Sequence, residues 1–258
     1  MIPANAITAW GVDHPWPTRE QVEQDLLLSQ AICAIAADDY LGTELVFRGG
    51  TALHKLHLDH PYRYSEDLDY VRSTATGIGP LTRALCDLGV DLGYTVNTRV
   101  SQHPKVYWRT TAASGIPLRI KIEVNTHERS PALPLIYRSH EVDSAWWTGQ
   151  VEVQTFQPVE LVATKIRALY QRSKGRDLFD LWLALNQLHL PAATILAAFD
   201  PYRPEGLTAA RARDNLAKKL QNRLFRTDLD PLITTSPDSY QLDAAATQIN
   251  EILGHLDD

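Results

Sequence analysis

Phe47-Arg48-Gly49-Gly50-Thr51-Ala52-Leu53, followed by Arg63-Tyr64-Ser65-Glu66-Asp67-Leu68-Asp69-Tyr70, is the stretch on which the reading of this chain turns. The glycine pair opens a segment with helical character. Two carboxylates separated by one residue follow. Side chains alternate across a strand, so Asp67 and Asp69 share one face while Leu68 and Tyr70 share the other. Paired carboxylates on an apolar backing suit a divalent cation held against a phosphorylated substrate. Backbone N–H groups freed at Gly49-Gly50 suit the phosphates themselves. A solvent-facing acidic edge beside an ordinary turn is the plainer alternative.

The chain around this stretch has 258 residues, enough to bury a full core as one large domain or two small lobes. Its apolar share of 44% and charged share of 22% are those of an ordinary globular protein. The two cysteines, Cys33 and Cys86, stand in apolar helix-like runs, which argues for core thiols in a reducing compartment. Met1 to Pro17 has no basic segment before an apolar run, and no apolar run is long enough to span a bilayer. Neither secretion nor membrane spanning is expected. A net charge of −6 is no global sign of nucleic-acid binding and leaves the question to local clusters.

Met1 to Pro17, with three prolines and two tryptophans, reads as an irregular arm. Thr18 with Gln21 forms a capping box for a helix reaching about Asp38. A short strand over Glu44 to Phe47, a helix from Thr51 to Leu58 and another over Leu81 to Leu88 are expected. Leu92, Tyr94, Val96, Thr98 and Val100 alternate as one strand and Val106 to Thr110 form a second, antiparallel beside the carboxylate edge. Pro117 to Asn125 alternates most clearly: Leu118, Ile120, Ile122 and Val124 form one face, and Arg119, Lys121, Glu123 and Asn125 the other. Trp146-Trp147 suits core at a lobe junction better than a base-stacking platform. After a strand over Val151 to Phe156, Pro158 takes the first position of a helix, and strands give way to helices.

Several side chains stand out. Glu123 is either part of a surface charge ladder or a third carboxylate beside Asp67 and Asp69. Arg63 can neutralise a phosphate or, as favoured here, brace the two aspartates. Lys165 lies in the helix after Pro158, with Arg172 on a similar side. Asp177 and Asp180 share a face near a helix N-terminus, where Asp177 caps the helix or orients Lys165 or Arg176. From Arg203 to Arg226 seven basic residues meet two acidic ones. Arg211, Lys218, Lys219 and Arg223 in that run are candidates for an RNA backbone, or simply a solvated face.

Gly49-Gly50-Thr51-Ala52-Leu53 with Arg63 and Ser65-Glu66-Asp67-Leu68-Asp69 resembles the signature of the AbiEii/AbiGii-type nucleotidyltransferase toxins. That group includes the MenT toxins and belongs to the DNA polymerase β-like nucleotidyltransferase superfamily. Ala163-Thr164-Lys165-Ile166-Arg167-Ala168-Leu169 followed by Gly175-Arg176-Asp177-Leu178-Phe179-Asp180-Leu181 is similar to the family's second block. The interval from Gly50 to Asp67 is longer than is typical of the superfamily at large and agrees with the toxin branch.

The resemblance implies an α+β fold with a polymerase β-like core, a mixed or antiparallel sheet and a helical C-terminal lobe. Residues 1–150 would form the core lobe, with an N-terminal helix, and residues 151–258 the lobe that completes the active site. Asp67 and Asp69 would hold Mg²⁺, and Glu123, where the superfamily usually has Asp, would complete the metal set. Lys165 would contact the triphosphate and Asp177 would be essential beside it. Gly49, Gly50, Thr51, Arg63 and Ser65 would lie against an NTP, CTP or another pyrimidine nucleotide. The implied activity blocks translation by transferring a nucleotide to RNA, at the 3′ end of tRNA, in the cytoplasm. The implied partner is a cognate antitoxin encoded nearby, and neither DNA nor a membrane is expected. Two alternatives stay open: transfer to a small-molecule or protein hydroxyl, and a non-catalytic RNA- or antitoxin-binding module.

Overall fold

A computed structural model describes residues 2–99, 103–126, 131–237 and 239–256. Its contacts group into two compact units, residues 1–156 and 157–258. Among the described residues no helix is long and apolar enough to cross a membrane.

The first unit begins with helix, not with an irregular arm. α1 (Ala4–Asp13) starts after Pro3 and buries Ala6 and Ile7. The prolines that suggested irregularity flank this helix, where a missing N–H costs nothing. α2 (Arg19–Ala37) carries the expected capping box: Thr18 accepts from the Gln21 backbone, and the Gln21 side chain returns to the Thr18 N–H. A short α3 (Leu41–Glu44) leads into β1 (Leu45–Arg48), and α4 (Gly49–Ala52) follows at once and continues as a π-helical turn over Leu53–His57.

β2 (Asp67–Arg72), α5 (Ile78–Asp91), β3 (Thr95–Arg99), β4 (Lys105–Thr111), β5 (Pro117–Asn125), β6 (Ile136–Asp143) and β7 (Thr148–Thr155) complete the unit. Val100, expected to end the third strand, lies outside the described residues. β6 was not anticipated, because Tyr137, Arg138 and Ser139 on its exposed stretch erase the alternation. Trp146 and Trp147 stand at the β6–β7 hairpin, half-buried, rather than in a core. Trp147 lies over Gly149, where a Cβ would meet the ring at 2.4 Å.

The seven strands form one mixed sheet in the order β3-β4-β5-β2-β1-β7-β6. β2 lies antiparallel to β1 and parallel to β5, β4 and β5 are antiparallel, and β7 runs parallel to β1. Leu68 and Tyr70 of β2 and Leu118, Ile120, Ile122 and Val124 of β5 are buried on one face. That leaves the opposite, polar face of these two strands for chemistry.

The second unit is helical: α6 (Pro158–Gln171), α7 (Gly175–Gln187), α8 (Ala192–Phe199), α9 (Ala209–Leu220), α10 (Arg223–Arg226) and α11 (Leu242–Leu253). Gly175 opens α7 so close to α10 that a Cβ would meet the Phe225 carbonyl oxygen at 2.1 Å. Both cysteines are free thiols.

Candidate active site

The carboxylates of the first unit are assembled by strand register. Asp67 and Asp69 stand on alternate positions of β2, and the parallel pairing with β5 sets Asp67 beside Lys121 and Asp69 beside Glu123. On the other side, Asp69 pairs with Arg48 of β1. β4 adds Lys105 opposite Glu123. The sequence-expected trio of Asp67, Asp69 and Glu123 thus shares one face of two adjacent strands.

Cations interleave with these acids. Lys121 Nζ lies 2.7 Å from Asp67 Oδ2 and 3.3 Å from Glu123 Oε2, and Lys105 Nζ lies 3.4 Å from Glu123 Oε2. Burial pushes the Asp69 carboxyl above its ordinary value, and the Asp67 charge adds to this against Lys121 and Arg48. Partial burial lowers Lys121, but its bond to Asp67 and the charges of Asp67, Asp69 and Glu123 outweigh that and raise it. Asp69 thus ionises reluctantly because it is buried, while Lys121 holds its proton because its neighbours are carboxylates.

The donor chemistry fits a hard divalent cation: three carboxylates that offer oxygen ligands from one sheet face. Among the described residues, no three His, Cys, Asp or Glu side chains are gathered closely enough to hold a metal as they stand. Lys121, sitting between Asp67 and Glu123, has to turn aside before both can share one ion.

The glycine turn is built against this pair. Gly49 adopts φ +85°, and a Cβ there would stand 2.7 Å from Asp69 Oδ2. Thr51, fully buried, donates its hydroxyl to the Asp67 carbonyl at 2.6 Å and lies 2.8 Å from the Ser65 hydroxyl. Thr51 and Ser65 therefore fasten α4 to the start of β2. Arg63 is buried and donates to the Tyr64 carbonyl. One turn further on, Lys55 is held by Asp25 Oδ1 at 2.9 Å and Ser29 Oγ at 2.9 Å, which ties the π-helical turn to α2.

Lys165 of the second unit is 6% exposed and sits between two fully buried aspartates. Its Nζ is 2.7 Å from Asp180 Oδ2 and 3.5 Å from Asp177 Oδ1. Arg172 closes on Asp177 as a fork, Nε to Oδ2 at 2.6 Å and Nη2 to Oδ1 at 2.7 Å. Burial raises the Asp177 carboxyl, yet Lys165 and Arg172 reverse this and hold it below the ordinary carboxylate range. Asp177 thus orients Lys165 and Arg172. Arg176, the other cation considered, turns to Asp228 instead.

The basic run is largely engaged within its own unit. Lys219 donates to the carbonyls of Leu169 and of Tyr170, at the end of α6, and burial pulls it down to about 8, against the charge of Asp177. Arg211 bonds the Gly206 carbonyl at 2.7 Å, Arg213 the Asn250 carbonyl at 3.1 Å, and Arg226 forks onto Asp243. Lys218 and Arg223 are exposed and make no ion pair among the described residues.

Sequence reasoning missed Lys105 and the bridging position of Lys121. The signal for Lys121 was its place two residues before Glu123 on the same strand face. Nothing local announced Lys105.

A family model described as nucleotidyl transferase AbiEii toxin, type IV TA system, matches residues 30–248. Among solved structures, the chain resembles the nucleotidyltransferase toxin MenT4 of Mycobacterium tuberculosis H37Rv. The match has 16% identity and TM-score 0.70 over 100% of this chain and 91% of that one. That likeness is one of fold. An antigenic nucleotidyltransferase-like protein from Paracoccidioides brasiliensis aligns at 18% identity and TM-score 0.39, over 81% of this chain and 92% of that one. No curated protein matches.

Proposed function

Because the chain belongs to the AbiEii nucleotidyl transferase toxin family of type IV toxin–antitoxin systems, we propose that it uses Mg²⁺ and an NTP to add a nucleotide to RNA. The acceptor is the 3′ end of tRNA, the nucleotide CTP or another pyrimidine, and the consequence a block of translation in the cytoplasm. The observation that carries this reading is the juxtaposition of Asp67, Asp69 and Glu123 on one face of two adjacent strands.

In this reaction the acceptor hydroxyl oxygen bonds to the α-phosphorus, the bond to the bridging oxygen breaks, pyrophosphate leaves and the hydroxyl proton passes to water. Mg²⁺ held by Asp67, Asp69 and Glu123 would supply Lewis-acid stabilisation and a lowered hydroxyl pKa. The chain's own residues do the rest. Asp67 and Asp69 orient the reacting groups from a rigid strand. Gly49 and Gly50, at the start of a helical turn, lend N–H groups to phosphate oxygens. Thr51 and Ser65 hold that turn and the strand in register, and Arg63 steadies the segment before the strand through the Tyr64 carbonyl. Lys121, once free of Asp67, offers its ammonium to the triphosphate. Lys165 neutralises phosphate charge and Asp177 keeps it aligned, a division of work that follows the second sequence block of the family.

The test is incubation of the pure protein with labelled NTPs and total RNA, with and without Mg²⁺, beside protein and small-molecule acceptors. Label entering tRNA only with Mg²⁺ and intact Asp67 and Asp69 is the expected result. Label entering a small molecule or protein instead would replace the acceptor. No NTP turnover under any condition would overturn the catalytic reading.

A further inference from the structure

The register that gathers the carboxylates continues outward across β5, β4 and β3. In the row beside Asp67 stand Lys121, Tyr107 and Asn97, and in the row beside Asp69 stand Glu123, Lys105 and Arg99. One further row along β5 and β4, Arg119 faces Arg109 directly across the antiparallel pair. Directly opposed side chains lie on one face. Arg99, Lys105, Arg109, Arg119 and Lys121 therefore share the face that carries Asp67, Asp69 and Glu123.

Two features make this more than a solvated charge ladder. Like charges directly opposite each other on neighbouring strands destabilise a sheet. Arg109 and Arg119 are both exposed, and among the described residues neither has a carboxylate partner to offset the repulsion. Both line a cavity of about 360 Å³ with Glu66, the residue before Asp67, and with Gln24 and Thr110. Tyr107 is half-buried beside them, with the Arg119 guanidinium 5.6 Å from its ring centre. Alternating cations and an aromatic on an open sheet are what a single-stranded nucleic acid uses, phosphates on the cations and a base on the ring.

We infer that the open face of β3, β4 and β5, centred on Arg109, Arg119 and Tyr107, is the surface that seats the RNA acceptor. The inference rests on the RNA-acceptor reading given above and adds where the polyanion lies. Strands are spaced by roughly 5 Å and alternate residues by roughly 7 Å, so Tyr107 and Arg109 stand within one or two nucleotides of Asp67. An RNA end on this face thus runs into the carboxylates without leaving the sheet. An acidic protein would satisfy the arginines but leave Tyr107 and the continuity with Asp67 and Asp69 unused. The basic run of the second unit is the weaker candidate, since Arg211, Arg213, Lys219 and Arg226 already bond within that unit.

The experiment uses the full chain carrying R109Q and R119Q together, with K218Q plus R223Q as the comparison. Binding of a tRNA transcript is measured over a series of salt concentrations, alongside NTP binding, a poly-glutamate peptide as competitor, and a thermal melt. The arginine pair is expected to weaken RNA binding by about tenfold or more. The slope of log affinity against log salt should fall by about 1.4, the loss of two phosphate contacts to a single strand. NTP binding and the melt should hold, the melt if anything rising as the repulsion is removed, and R109K with R119K should keep RNA binding. Unchanged RNA binding in R109Q/R119Q overturns the surface, and a loss confined to K218Q/R223Q moves it to the second unit. Poly-glutamate displacing RNA and binding more tightly overturns the occupant. Should the double variant fail to fold, the two single variants are each read against the same criteria, with a slope change of about 0.7. A wild-type protein that binds no RNA at any salt, yet turns over NTP, fails the acceptor reading itself rather than the choice of face.

Discussion

Gly49 and Asp69 contend for one space: a Cβ on Gly49 would stand 2.7 Å from Asp69 Oδ2 and 3.1 Å from its Cβ, at a backbone φ of +85°. The helical turn after β1 and the carboxylate pair on β2 are thereby one construction. Gly49→Ala should cost about 1–2 kcal/mol for the left-handed backbone alone. It should also displace Asp69, so transfer should fall far more than stability does. Rates at saturating NTP set beside thermal melts check this, and near-normal transfer would show that the approach has no part in the chemistry.

Asp69 should behave as a carboxylate whose ionisation works against the fold. Its value is raised in the folded state above the ordinary 3.8, by burial first and then by Asp67. Its stabilising contribution is therefore present below that ordinary value and is lost as pH rises through the folded one. With a chelator present, Asp69→Asn should melt above wild type at neutral pH and level with it in strong acid, while transfer is abolished. A melt difference independent of pH would contradict the assignment.

Lys121 bridges Asp67 and Glu123, so its removal takes the ammonium from Asp67 and leaves Glu123 with Lys105. Lys121→Met should lower the metal-free melt, and added Mg²⁺ should raise it more than it raises that of wild type. Transfer should fall through weakened NTP binding. A variant that melts as wild type does, with the same response to Mg²⁺, would remove Lys121 from the site.

Lys165 is a structural cation as well as a proposed ligand. Breaking a buried pair by removing one partner costs about 3–5 kcal/mol. Lys165→Met should destabilise to that extent by taking the ammonium away from buried Asp180, and adding Asp180→Asn should recover part of it. Transfer should stay lost in both. If the double variant regained transfer, Lys165 would act only through folding.

Lys219 should prove to be a helix terminator rather than an RNA ligand. Its ammonium lies on the carbonyls of Leu169 and Tyr170, at the negative end of α6. Lys219→Met should cost about 1 kcal/mol in stability and leave tRNA affinity unchanged. Weaker RNA binding at unchanged stability would return it to the surface role the basic run first suggested.

The residue string by itself determined what depends on near neighbours. Asp67 and Asp69 share a face because a strand repeats every second residue, and β5 was legible from end to end for the same reason. Thr18 and Gln21 announced the start of α2 because a capping box is closed within one turn. Only the tertiary structure decided which strand lies beside β2 and in what register. One residue of slip would have set Ile122 and Ile120 beside the aspartates instead of Glu123 and Lys121, and burial of β5's apolar face forbids it. α1 was hidden because the prolines on either side of it read as irregular chain, and β6 because its exposed Tyr137, Arg138 and Ser139 erase the alternation. The hold of Asp180 on Lys165 and the fate of Lys219 were hidden too. A lone lysine on a helix has no local feature that distinguishes a solvated ammonium from one folded onto distant aspartates or carbonyls, and desolvation by the assembled unit makes that choice.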